Sequence, residues 1–158
     1  MISKIFSFFL ICFLTISKGQ AMSISDVGKV CTFSSVRAKV TYNGELVKNS
    51  KVTRWTKWKD ASTEVTTTTS DGVFEFPAIF EKSISKYLPI EIVITQVITV
   101  EYGGHPYKVW INTKMKPEEN TELGGSPLNL ECELTEEPVF YEDFGPLLET
   151  NCTGKMLG

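Results

Sequence analysis

Three groups of residues in this 158-residue sequence have side chains suited to chemistry or recognition. The cysteines Cys31, Cys132 and Cys152 stand far apart, with no Cys-x-x-Cys spacing and one histidine in the chain, so a zinc site lacks its ligand pattern. That histidine, His105, lies in a Gly-Gly-His-Pro turn, where a surface imidazole needs no catalytic role. A serine hydrolase needs a base beside its nucleophile, and no Gly-x-Ser-x-Gly elbow is present. A glycosidase needs two carboxylates set apart from ordinary surface charge, and none is so distinguished. Ser70-Asp71-Gly72 is too sparse in oxygen ligands for calcium. The expectation is a non-enzyme without metal or cofactor.

The recognition candidates are Trp55 and Trp58, with Arg54, Lys57 and Lys59 beside them. Trp, Tyr and Arg anchor many protein interfaces, so Arg54, Trp55, Lys57 and Trp58 form the candidate binding surface. On one strand Trp55 and Trp58 face opposite ways unless a bulge intervenes. The competing account is core and edge packing with the basic stems snorkelling outward. Trp110 belongs to the same comparison.

The elements that hold these residues begin with an export signal. Lys4 precedes an apolar run of about 12 residues, Ile5 to Ile16, and Lys18-Gly19-Gln20-Ala21 ends in small residues suited to cleavage. The run is short of the ~20 residues that span a bilayer as a helix. Cys12 sits inside it behind Leu10-Ile11, unlike a lipoprotein cysteine. Residues 1–21 are therefore predicted to be a cleavable signal peptide, with no membrane span after cleavage. Removing Lys4 and Lys18 from 16 basic residues leaves 14 against 19 acidic ones, a mature net charge of about −5. No dense basic run appears, so nucleic acid is not an expected partner. The acids of the C-terminal third, Glu118, Glu119, Glu122, Glu131 and Glu133 among them, read as a solvated face.

Cleavage removes Cys12 and leaves three thiols in an oxidising compartment, with three pairings open. Cys132–Cys152 is favoured, because Cys132 lies in an alternating strand and Cys152 in a Gly/Asn-rich tail that needs tethering. Closing such a loop contributes about 3 kcal/mol on the chain-entropy estimate. Cys31–Cys152 is the next alternative.

Along the rest of the chain the pattern is period two. Val36, Ala38, Val40 and Tyr42 alternate with Arg37, Lys39 and Thr41 before the turn dipeptide Asn43-Gly44. Further strands are expected over Val52 to Trp58, Thr63 to Thr69, Val73 to Phe76, Ile90 to Tyr102, Tyr107 to Asn112 and Leu128 to Leu134. Ile90 to Tyr102, the most apolar stretch, is expected to be central. The Thr66–Thr69 run, if it lies at an edge, offers a place for a partner strand. About seven short strands with closely spaced turns indicate a mainly β, antiparallel sandwich. Residues 31–145 are expected to form it, and 146–158 a C-terminal tail tethered by the disulfide.

The stretch Val36 to Pro77, with V-T-Y-N-G-E-L-V, S-K-V-T-R and T-T-T-T-S-D-G-V-F-E-F-P, resembles the prealbumin-like (transthyretin-like) sandwich modules, carboxypeptidase regulatory-like domains included. With Q-V-I-T-V-E-Y-G-G-H-P-Y-K-V-W and L-N-L-E-C-E-L-T, roughly residues 31 to 135 resemble a bacterial family catalogued as domain of unknown function 6795. The resemblance implies a bacterial source, hence the periplasm or cell exterior, and supplies no catalytic residues. The expected function is that of an exported, non-catalytic binding or accessory module with a protein or cell-envelope partner. The alternative is an immunity-type inhibitor of a secreted toxin; a hydrolase is least favoured.

Overall fold

A computed structural model describes residues 28–155 and 157, so the expected signal peptide lies outside the described residues. Thirteen strand segments follow one another: β1 (Lys29–Phe33), β2 (Val36–Tyr42), β3 (Glu45–Leu46), β4 (Lys51–Lys57), β5 (Ala61–Thr67), β6 (Val73–Phe76), β7 (Ile79–Lys82), β8 (Ile94–Tyr102), β9 (His105–Lys114), β10 (Leu128–Glu133), β11 (Val139–Phe140), β12 (Leu148–Thr150) and β13 (Cys152–Gly154). Six of them form one sheet in the order β11-β12-β9-β8-β4-β5. The second sheet runs β13-β10-β2, with β3 and β6 sharing the far side of β2, and β1 and β7 form a separate ribbon. No described helix is long and apolar enough to cross a membrane.

This is the mainly β, sandwich-like fold expected, with more strands than seven because several segments have two to four residues. One pairing departs from an antiparallel sandwich: β2 and β10 run parallel, from Leu128↔Val36 to Glu133↔Thr41. The stretch read as a tail supplies β12 to one sheet and β13 to the other.

Local chemistry explains the strands. In β2, Val36, Ala38 and Val40 point inward while Arg37 and Lys39 are exposed. Asn43 and Gly44 follow at φ +51° and +79°, the geometry of a tight hairpin turn, where Asn and Gly tolerate left-handed backbone. Both of their amides donate to the Glu133 carboxylate at 2.9 Å. Partial burial pushes that carboxyl upward, but hydrogen bonds from Thr135, Gly44 and Thr41 outweigh it and hold it down at about 2. Gly72, at φ +71°, passes so close to β2 that a Cβ there would lie 2.9 Å from the Val40 carbonyl. In the β8–β9 hairpin, Ile98 pairs with Trp110 and Thr99 with Lys108, so Val109 is the extra residue of a bulge.

The facing sheets enclose a core that includes Phe33, Val40, Val52, Phe74, Val100, Trp110, Leu128 and Leu148. Of the three cysteine pairings left open, the structure contains Cys132–Cys152, joining partnered residues of β10 and β13. Cys31 is buried and unpaired.

Candidate functional site

The four residues of the expected binding surface occupy three different environments. In β4 the even positions Val52, Arg54 and Thr56 point inward and the odd ones outward. Arg54 is therefore not a surface group: it is 1 % exposed. Its Nε donates to Glu64 at 2.9 Å, Nη2 makes a second bond to the same carboxylate, and Nη1 donates to the Pro77 carbonyl at 2.6 Å. The guanidinium lies 5.1 Å and 4.6 Å from the ring centroids of Phe33 and Phe76, a planar cation placed between π faces. Burial pulls its pKa down from the ordinary value, and the Glu64 carboxylate opposes that shift. Its parity with Val52 was the available sequence signal; an arginine in an alternating strand reads as exposed when its salt-bridge partner is unknown.

Trp55 and Lys57 face outward, Trp55 half-buried between Thr63 of β5 and Val97 of β8. Trp58 comes just after β4 and packs on a small cluster of Val30, Ile92 and Ile94. Lys59 Nζ lies 4.5 Å from its ring centroid. Trp110 is wholly buried, and its indole faces Gln96. His105 is exposed at the start of β9.

Trp58 marks the base of a lobe formed by residues 79–93. Strand β7, a 3-10 turn at Ser85–Tyr87 and the irregular stretch after Pro89 expose Phe80, Ile84, Tyr87, Leu88, Ile90 and Val93. Ile84 is 70 % exposed, Tyr87 60 % and Ile90 52 %. Six of the nine large exposed hydrophobics among the described residues thus fall in one short segment. The backbone beneath them is held in place. Ser83 N donates to the Gly28 carbonyl at 2.7 Å, Gly28 N donates to the Tyr87 hydroxyl at 3.3 Å, and Lys59 Nζ reaches Ser83 Oγ at 3.1 Å. Ile90 to Tyr102 was expected to be one strand, but the ladder begins at Ile94. Ile92 and Ile94 turn inward onto Trp58, leaving Ile90 and Val93 in water.

A second cluster, not anticipated from the sequence, lies inside. Glu122, read above as part of a solvated acidic face, is fully buried. Its carboxylate accepts from Ser34 N at 3.0 Å, Ser34 Oγ at 2.6 Å, Gln96 Nε2 at 2.9 Å and Lys114 Nζ at 2.9 Å. Lys114 Nζ also donates to the Glu118 carbonyl and Thr121 Oγ1, both at 2.7 Å, so all three of its protons are engaged. Asn112 Nδ2 donates to Gln96 Oε1 at 2.8 Å, and Gln96 Nε2 also reaches the Thr32 carbonyl. Burial pushes the Glu122 carboxyl upward, but the Lys114 charge and the hydrogen bonds outweigh it and hold it below the usual range.

The cluster contains a hydroxyl, a thiol, an ammonium and a carboxylate, yet its geometry opposes catalysis. Ser34 is sealed from solvent and its hydroxyl donates to a carboxylate that three other donors also occupy. Cys31 Sγ lies 3.8 Å from Ser34 Oγ, and burial pushes its thiol up to about 11, the reverse of an activated nucleophile. A cavity of about 160 Å³ adjoins Lys114 and Glu122, lined also by Asp143 and Phe144, but every Lys114 donor points into the network. The arrangement ties β1 and the turn at Thr121–Leu123 to β8 and β9. Its sequence signal was weak: Trp110, Asn112 and Lys114 share the inward parity of β9, and the partners are as many as 88 residues apart.

Residues 36–137 match the model of a family described as a domain of unknown function (DUF6795). No curated protein and no solved structure matches the chain. The match covers more than half of the sequence, and the chain belongs to that family.

Proposed function

We propose that this DUF6795 member is an exported, non-catalytic module that binds a protein partner through the apolar lobe of residues 79–93. The observation that carries the reading is the concentration of exposed Ile84, Tyr87, Leu88, Ile90 and Val93 on a segment whose backbone is pinned by hydrogen bonds. Contiguous apolar surface on a water-facing protein marks interaction sites, and a pre-ordered segment loses little entropy on docking. Trp58 supports the lobe from beneath, exposed Lys59 lies beside it, and the segment itself carries exposed Lys82 and Glu91. The partner that fits is a protein with an apolar cleft.

Export is supported by the n-region, apolar run and small-residue order of residues 1–21, and by the disulfide between Cys132 and Cys152. Mass spectrometry of the protein from the cell exterior or periplasm is expected to find Met22 as the first residue. An intact Met1 form there would remove the cleavage part of the reading.

Binding is tested by affinity capture from the native envelope, followed by reconstitution with the purified candidate. Capture is expected with the wild type and with Trp55→Ala, and to be lost with Ile84→Asp combined with Tyr87→Ala. Capture indifferent to the lobe variant overturns this assignment. A captured toxin that loses activity on binding would narrow the module to an immunity-type inhibitor.

A further inference from the structure

The free edges of the two main sheets are unequal. β11, β13, β3 and β6 have two, three, two and four residues, whereas β5 has seven. Proteins protect edge strands with lysines, prolines, bulges or brevity. β5 uses none of these: it reads Ala-Ser-Thr-Glu-Val-Thr-Thr and pairs with β4 in unbroken register from Lys51↔Thr67 to Lys57↔Ala61. Its single charge, Glu64, is committed to Arg54 behind it. Val65, exposed at 58 %, is the only large apolar residue it presents to water.

The backbone direction follows from the pairing. Thr68 N donates to the Ser50 carbonyl at 2.9 Å, so Thr66, Glu64 and Ser62, at the same parity, direct their peptide groups to β4. Thr63, Val65 and Thr67 then direct theirs to the open side. These residues also carry their side chains on the outer face, where Thr63 is the cross-strand neighbour of Trp55.

We propose that β5 pairs antiparallel with β5 of a second copy of this chain, about a two-fold axis at Val65, making one continuous sheet of twelve strands. This register places Val65 against its twin and Thr63 against Thr67 of the other copy. About six inter-chain backbone hydrogen bonds close between them, and Val–Val and Thr–Thr are favourable cross-strand neighbours.

Charge selects a second copy and this register. Glu64 falls opposite Thr66; a shift of the axis to Glu64 would set two carboxylates face to face. At one end of β5 exposed Lys57 and Lys59 outnumber exposed Asp60, a net single positive charge. The antiparallel arrangement carries that end toward exposed Asp71 at the other, where Lys51 is already paired with Glu101, twice by symmetry. For an exported chain with a net charge of about −5, 14 basic against 19 acidic residues once Lys4 and Lys18 are removed, self-association needs this kind of local neutrality. The lobe of residues 79–93 takes no part in the pairing.

Sedimentation and light scattering on the purified exported protein test the proposal. The wild type is expected to show a concentration-dependent dimer, and Val65→Lys to raise its dissociation constant about tenfold or more by setting two ammonium groups on the axis. Under mild oxidation without denaturant, Val65→Cys is expected to form a disulfide-linked dimer. Ala61→Cys, also exposed but displaced from its own copy by the register, is not. Ile84→Asp is expected to leave the dimer intact. A monomer at every concentration overturns the proposal, as does a dimer indifferent to Val65→Lys or abolished by Ile84→Asp. Equal cross-linking of Val65→Cys and Ala61→Cys overturns the register.

Discussion

The interior around Glu122 and the lobe around Ile84 invert the usual distribution of side chains in opposite senses. One places a carboxylate, an ammonium and two amides in the core; the other places isoleucines, a leucine, a valine and aromatics in water. The interior inversion is closed at its charged groups, with Asn112 Oδ1 left without a hydrogen-bond partner among the described residues. Lys114 has no spare donor, and Glu122 accepts from Ser34, Gln96 and Lys114. The lobe inversion is open: its backbone is satisfied by Gly28, Ser83 and Tyr87, while its apolar side chains have no cover among the described residues. A closed inversion stabilises a fold, and an open one is what a binding surface presents. The difference therefore separates structure from function more clearly than residue type does, since the cluster holds a hydroxyl, a thiol, an ammonium and a carboxylate, all group types that catalytic sites use.

The largest effect is expected on breaking the closed inversion from one side. Glu122→Ala leaves Lys114 charged, buried and unpaired, and is predicted to destabilise the fold by about 3–5 kcal/mol, measured by urea denaturation at pH 7. Replacing both partners, Glu122→Leu with Lys114→Met, is predicted to recover much of that loss. If the single variant is as stable as the wild type, the cluster is not a structural clamp and the comparison fails.

Acid probes the same pair more gently. The Glu122 carboxyl is held below its ordinary 4.5 in the folded state. Its contribution is thus fully present above 4.5 and is lost as the pH falls through the lower folded value. Denaturation midpoints are expected to be flat from pH 7 to pH 5 and to fall below 4.5. Glu133, held at about 2, adds its own share as the pH falls from 4.5 toward 2, reduced by solvent screening because it is partly exposed. A Glu122→Gln variant is expected to lose the Glu122 part of the acid slope and keep the part that Glu133 supplies. An unchanged slope would assign the acid sensitivity elsewhere.

Cys31 reports on closure without altering the charges. Its thiol is buried and pushed up to about 11. It is expected to resist a thiol reagent at pH 8 in the native protein and to react within the mixing time in denaturant. Fast native reaction would mean that the region beside Ser34 opens readily and is less closed than its hydrogen bonds imply.

The two inversions were unequally legible in the sequence. Features set by neighbouring residues could be read: the β2 alternation, the Asn43-Gly44 and Asp71-Gly72 turns, and the apolar run that became β8 between β9 and β4. Features set by distant partners could not. Ser34 meets Glu122 across 88 residues, and the parallel pairing of β2 with β10 joins segments slightly more remote still. Arg54 was read as surface because nothing local identifies Glu64, Phe33 and Phe76 as its surroundings. The lobe was partly visible as apolar sequence, but alternation placed Ile90 and Val93 in a strand, and only the ladder's start at Ile94 leaves them outside it.

The smallest expected stability effect is the one that most sharpens the contrast. Ile84 is 70 % exposed, so its burial contributes little to folding, and Ile84→Asp is predicted to change the unfolding free energy by no more than about 0.5 kcal/mol. The same substitution sets a carboxylate on the apolar surface and is expected to abolish partner capture, because a charge desolvated at an interface without a counter-ion costs far more than the lost contact. Stability and binding should therefore separate at Ile84, whereas at Glu122 both should fall together as the fold fails. The pairing of the two measurements is what discriminates. A large stability loss at Ile84 would show that the lobe is itself core and already covered. Retained binding would show that the open inversion lies elsewhere on the surface.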